Sequence, residues 1–589
     1  MLNFLKKHNK TPELTNAAKA KVGDLQHKSI KHVHRYITKR AGRVLDVKRF
    51  VISWLLLVGV LCITTFGTFL KIRSAAVTTT PAPGGTYTEG MVGEINNINP
   101  LFSSGAIDDS VSRLVFNGLV RHDDEGQLVG DLAKSWSIDE SKKIYTVELR
   151  DDVKWHDGRS FTSKDVVATI DLIQNTSTRS TLFASWQGIK VSAVDKYSVK
   201  FELPAPFAPF INALNVPILP SHLVKDISPE KLRTDSFSVN PVGTGPFIFK
   251  ALRTNANQDQ QVEFSKNVAY YRGEPKLDRF IMHLFKDDEI LATALKNREI
   301  TAAVDLKPES IKEFNKDRSI RSTGIPLNSG VFAFFKTSDP KLEDIKLRNA
   351  LAMAIDRGAI LDLFDTQYSP LKTPILSTQL GYDAKYNQIT NLAQSEKDLE
   401  SLGWIKQSDG SRKKDGVKLE FNLLTANSAQ YSSVAGLLQE QWSKVGVSVK
   451  TQLLTLEQLQ QNGLTAHAYD ILLYGISIGY DPDVYAYWHS SQARSGGLNF
   501  SEWRSSRADT SLDVARTRTE TVLRDARYKT FLDEWQKSAP AVALYQPMVN
   551  YSYHQNASGF KFNISTNASE RLTSVENWTV NTKDVKRTP

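Results

Sequence analysis

The sequence predicts a mixed α/β body of at least two lobes carried behind one membrane-spanning helix, and three observations predict it. Residues 50–70, Phe50 to Leu70, form an uncharged run; at about 1.5 Å per residue such a run crosses the roughly 30 Å hydrocarbon core of a bilayer. Behind it, apolar patterns of period two and period 3.6 are interleaved without repeats or heptads, a signature of α/β or α+β architecture. The body that follows holds about 500 residues, more than one hydrophobic core serves.

Residues 1–49 form a basic arm. Its thirteen Lys and Arg against Glu13, Asp24 and Asp46 account for the whole formal charge of +10, so the sequence pI near 9.2 belongs to the arm and the body is neutral. No nucleic-acid partner is expected for the body. Only Lys71 and Arg73 follow the span closely, which orients the amino terminus to the cytoplasm and the body outside the cell membrane. Within the arm, Ile30, Val33, Ile37, Val44 and Leu45 recur among Lys28, Lys31, Arg35, Lys39, Arg40 and Arg43. That spacing fits a basic amphipathic helix on the anionic inner leaflet, or a merely disordered positive signal. A cleaved signal peptide ending near Ala75-Ala76 is the rival reading; a basic region of 49 residues before the apolar run, an apolar run longer than the usual h-region and Arg73 beside the cut oppose it. Cys62, the single cysteine, lies inside the span, so no internal disulfide forms, and Leu61 before it does not suit a lipidation box.

Residues 71–85 read as a linker, Thr/Pro/Gly-rich toward its end, and the folded body begins near Thr86. Tyr145, Val147 and Leu149 alternate with polar residues, as do Val199, Phe201 and Leu203, predicting half-buried strands over 144–150 and 198–203. Thr162 and Asp165 resemble a capping box, opening a helix whose apolar face is Val166, Val167, Ile170 and Ile173. A second helix is predicted around Leu347, Ala350, Leu351, Ala354 and Ile355. A third, through Val434, Leu437, Leu438, Trp442 and Val445, ends at Gly446 and leads into a strand to about Leu454.

The motifs of catalysis and cofactor binding are sparse. There is no HExxH, no clustered ligand spacing, no phosphate-binding loop, and Gly243-Thr-Gly245 lacks the third glycine of a dinucleotide site. No metal or cofactor is expected; His32 with His34, amid lysines, reads as polar residues of the arm. Gly475-Ile-Ser477-Ile-Gly479 does fit the nucleophile elbow, with Asp513 or Asp525 and His554 downstream in hydrolase order. Among 32 glycines such a match arises readily by chance, so a membrane-anchored serine hydrolase is the alternative and a non-enzyme the expectation.

The segment from Asn99 to Ala168 carries Asp131-Leu-Ala-Lys-Ser-Trp136, Tyr145-Thr-Val-Glu-Leu-Arg150 and Lys154-Trp-His-Asp-Gly158, followed by Phe161-Thr162 and Asp165-Val166. It resembles the extracytoplasmic solute-binding proteins of peptide-type ABC importers, family 5, the oligopeptide and dipeptide receptors. Pro241 to Phe247, Asn267 to Tyr271, Leu295 to Ala303, Leu347 to Arg357 and Tyr469 to Trp488 follow in the family's order, so the resemblance covers about residues 86–565. It implies a periplasmic-binding-protein-like fold of two hinged lobes with an additional domain. Lobe I would take residues 86–325 with the extra domain, lobe II residues 326–524, and residues 525–589 would return to lobe I and form the tail. It implies a receptor that captures peptides or peptide-like solutes and delivers them to a permease; a receptor that senses without transporting is a further alternative. Trp136, Trp155, Asp157-Gly158 and the Gly243–Phe247 stretch are expected to define the fold rather than touch ligand.

Polar loops after strands are where α/β proteins bind ligands. That points to Asn97, Asn99 and Phe102 in the first lobe, and to Tyr474, Ser477, Ile478, Tyr480, Asp481, Asp483 and Trp488 in the second. In the receptors this chain resembles, an aspartate three residues before an Asp-Pro pair holds the ligand's amino terminus. Here the pair is Asp481-Pro482 and the position holds Ile478. Either Asp481 or Asp483 substitutes, or the ligand lacks an amine; the alternative role for Asp481 is to cap a helix beginning at Pro482.

Overall fold

The structure is a computed structural model that describes residue 31 and residues 48–255, 259–314, 316–364 and 368–586. The chain divides into two compact units, residues 1–80 with 583–589, and residues 81–582. In the first, helix Lys48–Ala76 contains the apolar stretch Phe50–Thr68, of mean hydropathy 2.3 and wholly unburied. Within the residues expected to be an extended tether, the helix runs on to Ala76 and strand Val77–Ala82 pairs with Asn581–Lys586. The proposed amphipathic helix of the arm and the His32–His34 pair lie outside the described residues.

The second unit is built on two large sheets. The first runs in the order Ile320–Pro326, Met548–His554, Ala302–Val304, Thr86–Val92, Arg279–Phe285, Gln260–Lys266 and Phe247–Thr254, with Thr86–Val92 parallel to both of its neighbours. The second orders Ser369–Pro370, Ala541–Gln546, Ser329–Phe335, Ile471–Ser477, Glu420–Ala426 and Ser448–Leu454. Strand Ser329–Phe335 shows no apolar alternation because both its faces are covered: Val331, Ala333 and Phe335 enter one core, Phe332 and Phe334 the other. A four-stranded antiparallel sheet, Ala133–Ile138, Ile144–Leu149, Ser198–Glu202 and Lys190–Ala193, forms the additional domain beside the first sheet.

The local readings recur as structure. Helix Ser163–Gln174 opens on a reciprocal Thr162–Asp165 capping box, helix Ile345–Met353 buries Leu347, Ala350 and Leu351, and helix Ala429–Lys444 stops before Gly446, whose φ of +83° suits only glycine. Gly243 and Gly245 let their backbone approach the end of helix Ala106–Val115; a Cβ on Gly243 would stand 1.8 Å from the Val115 carbonyl oxygen. His156 of the Trp-His-Asp-Gly motif closes the same corner, accepting from the Gly243 N–H at Nδ1 and donating from Nε2 to the Gly245 carbonyl.

The chain passes from the first sheet to the second at residues 327–328, after strand Ile320–Pro326, and returns at Pro547, later than the expected 525. Residues 525–546 stay in the second lobe because helix Thr521–Ser538 buries Phe531, Leu532 and Trp535 in its core and strand Ala541–Gln546 pairs with Ser329–Phe335. Two antiparallel connections thus join the lobes, tied by the Leu327 N–H to the Pro547 carbonyl at 2.9 Å and the Gln546 side chain to the Leu327 carbonyl at 2.8 Å.

Candidate functional site

Both sequence-predicted segments leave the carboxyl ends of strands, and each borders a cavity. In lobe I, the loop after Thr86–Val92 passes through Asn96 and Asn97 to the short 3-10 turn Pro100–Phe102. Asp108 organises it, one carboxylate oxygen accepting the Asn96 N–H at 2.9 Å and the other the Ser104 N–H at 3.1 Å. Val92, Glu94, Asn96, Ile107 and Asp305 border a cavity of about 390 Å³ here. Three predicted residues shape the loop rather than line this cavity. Asn97 accepts the Asn99 N–H and donates to the Arg233 carbonyl; Asn99, fully buried, caps Leu101 and donates to Ser238; Phe102 is buried beneath the Arg233 guanidinium.

In lobe II, Tyr474 and Ser477 sit on strand Ile471–Ser477 and border a cavity of about 340 Å³, with Tyr487, Phe500, Leu464 and Gln460 on its other walls. One wall is the π-helical turn Leu459–Thr465, a geometry frequent at functional sites. Ile478 does not join this surface. It is 5% exposed within the apolar core of lobe II, and its N–H and that of Gly479 donate to the Asn328 carbonyl at 2.8 and 3.0 Å. Trp488 is also core, edge-on to Trp535 and fully buried.

The remaining three predicted residues carry the loop's polar contacts. Tyr480 reaches into lobe I: its ring stacks on His122 with centroids 3.3 Å apart and planes 10° from parallel, and its hydroxyl donates to Glu570 at 2.7 Å. Burial holds His122 down at about 4, so the ring against Tyr480 is neutral. Asp481 takes Arg524 Nη2 on both oxygens, at 2.6 and 2.8 Å. Asp483 pairs with Arg516 Nε at 3.1 Å; burial pushes its carboxyl up to about 6 against the opposing pull of Arg516, with Asp481 adding to the rise. Asp481 does not cap a helix, since helix Tyr485–Trp488 begins after Val484 rather than at Pro482. Arg516 makes a second bridge between lobes, its guanidinium over the rings of Phe207 and Tyr485 and its carbonyl accepting the Ala208 N–H at 2.8 Å.

His122, Glu570, Arg516, Arg524 and Asn328 were not legible as site residues, because each meets the loop only through long-range folding. The alternative triad is not assembled. Ser477 pairs with Ser329 in the second sheet, whereas His554 ends a strand of the first sheet and donates from Nε2 to the Leu295 carbonyl; Asp525 holds Lys529. Among the described residues no cluster of three or more His, Cys, Asp or Glu is placed to hold a metal.

The family described as "Bacterial extracellular solute-binding proteins, family 5 Middle" matches residues 127–497. The oligopeptide-binding protein AppA of Bacillus subtilis is 26% identical over 513 residues, 85% of this chain and 92% of that protein. The structure of that AppA with a nonapeptide shares 25% identity at a TM-score of 0.66, covering 85% of this chain and all of the other. NikZ from Campylobacter jejuni, solved with Ni(L-His), shares 29% identity at a TM-score of 0.67 over 84% of this chain and 99% of that one.

Proposed function

We propose, from the premise that the chain belongs to the family 5 bacterial extracellular solute-binding proteins, that it is the peptide receptor of an ABC importer, anchored in the membrane by residues 50–70. The observation that carries the reading is the pair of lobes joined by two short crossings, each presenting a cavity where a loop leaves a strand. Such a body holds a solute between its lobes. The solute stabilises closure only to the extent that it binds the closed form more tightly than the open one. The closed receptor then presents its cargo to the permease. No step requires bond chemistry, in keeping with a non-enzyme.

Anchoring rests on the apolar helix and on the excess of basic residues before it. The expected products are a protein released from membranes only by detergent and an amino terminus that remains cytoplasmic. A mature terminus near Val77 would show a cleaved signal instead. Cargo is tested by mass spectrometry of small molecules that co-purify with the full chain from its native membranes. A bound peptide or peptide-like solute, recovered intact, is the expected result. Esterase or peptidase activity that vanishes in Ser477→Ala would replace this reading with the hydrolase alternative.

A further inference from the structure

Helix Ala106–Val115 borders a second, smaller cavity of about 120 Å³, lined entirely by lobe I and distinct in its lining from the cavity at the β-strand ends. That is room for a few water molecules or one small solute. Three guanidinium groups, Arg113, Arg121 and Arg272, and two carboxylates, Asp109 and Asp131, line it.

The acceptors are already engaged, and the donors are engaged in part: Arg113 Nε donates to the Ser569 hydroxyl at 3.4 Å, Arg121 Nη1 reaches the His122 carbonyl at 3.5 Å, and Arg272 Nη2 donates to the Thr573 carbonyl and Glu576 at 2.7 Å each. Asp131 receives the Tyr271 hydroxyl at 2.6 Å and the Asn117 amide at 3.0 Å, which leaves Arg121 Nε 4.0 Å and Arg272 Nη1 3.6 Å from it. Asp109 receives the Ser103 hydroxyl and the Asn567 amide. Arg113 approaches Glu570 no closer than 3.6 Å. Two buried polar atoms have no hydrogen-bond partner at all, the Ser112 hydroxyl, in a residue 4% exposed, and Arg121 Nε. Buried polar groups are normally satisfied, and the ligand that satisfies surplus donors beside guanidinium groups is one rich in acceptors.

We propose that this cavity binds a small oxyanion, the shared chemistry of a carboxylate and a phosphate, held by Ser112, Arg113 and Arg121. The inference does not depend on what lies between the lobes, so it stands or falls apart from the peptide-receptor reading.

The test is calorimetric titration of the full chain in detergent with sodium phosphate and, separately, sodium acetate, against sodium chloride at matched ionic strength. Saturable binding of either anion beyond the chloride control is expected, phosphate alone assigning a phosphate site and acetate alone a carboxylate site. Arg121→Gln and Ser112→Ala should each weaken it by about tenfold or more, the change expected for one charge-assisted hydrogen bond. Ser477→Ala, in the other lobe, should leave it unchanged. Ser112→Ala removes a hydroxyl with no protein partner, so its thermal midpoint should match the wild type and keep the comparison valid if Arg121→Gln folds poorly. The proposal is overturned if neither anion saturates above chloride, or if both variants bind as the wild type does.

Discussion

Tyr480→Phe isolates one of the two side-chain bridges between the lobes. The substitution keeps the ring that stacks on His122 and deletes only the hydroxyl that donates to Glu570 across the cleft at 2.7 Å. A hydrogen bond to a charged acceptor contributes about 1.5–3 kcal/mol, so the open-to-closed equilibrium should move toward open by roughly ten- to 150-fold. Glu570 keeps the Thr566 N–H at 2.7 Å, which limits the cost of losing its partner. Tyr480→Ala also removes the stack and should add about 0.5–1.5 kcal/mol. The assay is energy transfer between one dye on each lobe, in full-length protein carrying Cys62→Ser and two introduced surface cysteines. Ligand affinity measured on the same samples should fall by the factor through which the closed population falls. The reasoning is refuted if Tyr480→Phe leaves the dye distances of the unliganded protein unchanged while affinity drops, because the hydroxyl would then serve the ligand and not the lobes.

Glu89 and Arg571 form an ion pair with both side chains 0% exposed, joined by the Tyr551 hydroxyl at 2.8 Å; Glu89→Gln should cost about 3–5 kcal/mol by stranding the guanidinium, and the denaturant midpoint of lobe I should recover part of that loss in Glu89→Gln/Arg571→Met. Burial holds His122 and His156 at about 4, below the ordinary 6.5, so the unfolded chain binds protons first and stability falls as pH drops from about 6.5 toward 4, by up to roughly 3 kcal/mol for each. Asp483, raised to about 6, has the opposite sign: its contribution is present at low pH and lost as pH rises through 6, so Asp483→Asn should steepen the acid loss seen in denaturation at pH 7 and 4.5. Ile478→Asp should destabilise the protein by about 3 kcal/mol or more, through lost apolar burial and a carboxyl placed in a core, and affinities for one short peptide with free and acetylated amino termini should show no gain for the free form.

Local structure was legible wherever the deciding chemistry lies within a few residues. Thr162 with Asp165, the apolar face through Ile170 and Ile173, and Gly446 after Trp442 each specify a helix end or stripe without reference to the rest of the chain. The return crossing was misplaced because Phe531, Leu532 and Trp535 would mark a core-facing helix in either lobe, and only the pairing of Ala541–Gln546 with Ser329–Phe335 decides between them. The site divided in the same way. Tyr474 and Ser477 lie at the carboxyl end of a strand that leads into a polar loop, but residue type does not separate an aromatic on a cavity wall from one in a core, and Phe102 and Trp488 are buried in cores. His122, Arg516 and Glu570 become neighbours of the loop only once the lobes meet.

That meeting already engages both aspartates of the loop, which supports the reading that neither is a free amine anchor. Asp481 is bound on both oxygens by Arg524, and Asp483 is held by Arg516, whose guanidinium also lies over Phe207 of the opposite lobe. A ligand ammonium would have to share each carboxylate with the guanidinium already paired to it, which lowers the gain from a new charge-assisted contact. The position that would have supplied an additional carboxylate is Ile478, turned into the core, and its backbone is spent on the crossing itself through the Asn328 carbonyl. The charges of this loop therefore hold the loop and the lobes in place. We propose that recognition falls to the cavity walls around Tyr474 and Ser477 and to the lobe I loop, in which case the Asn328 contact would carry any shift of residues 478–479 to the crossing between the lobes as well.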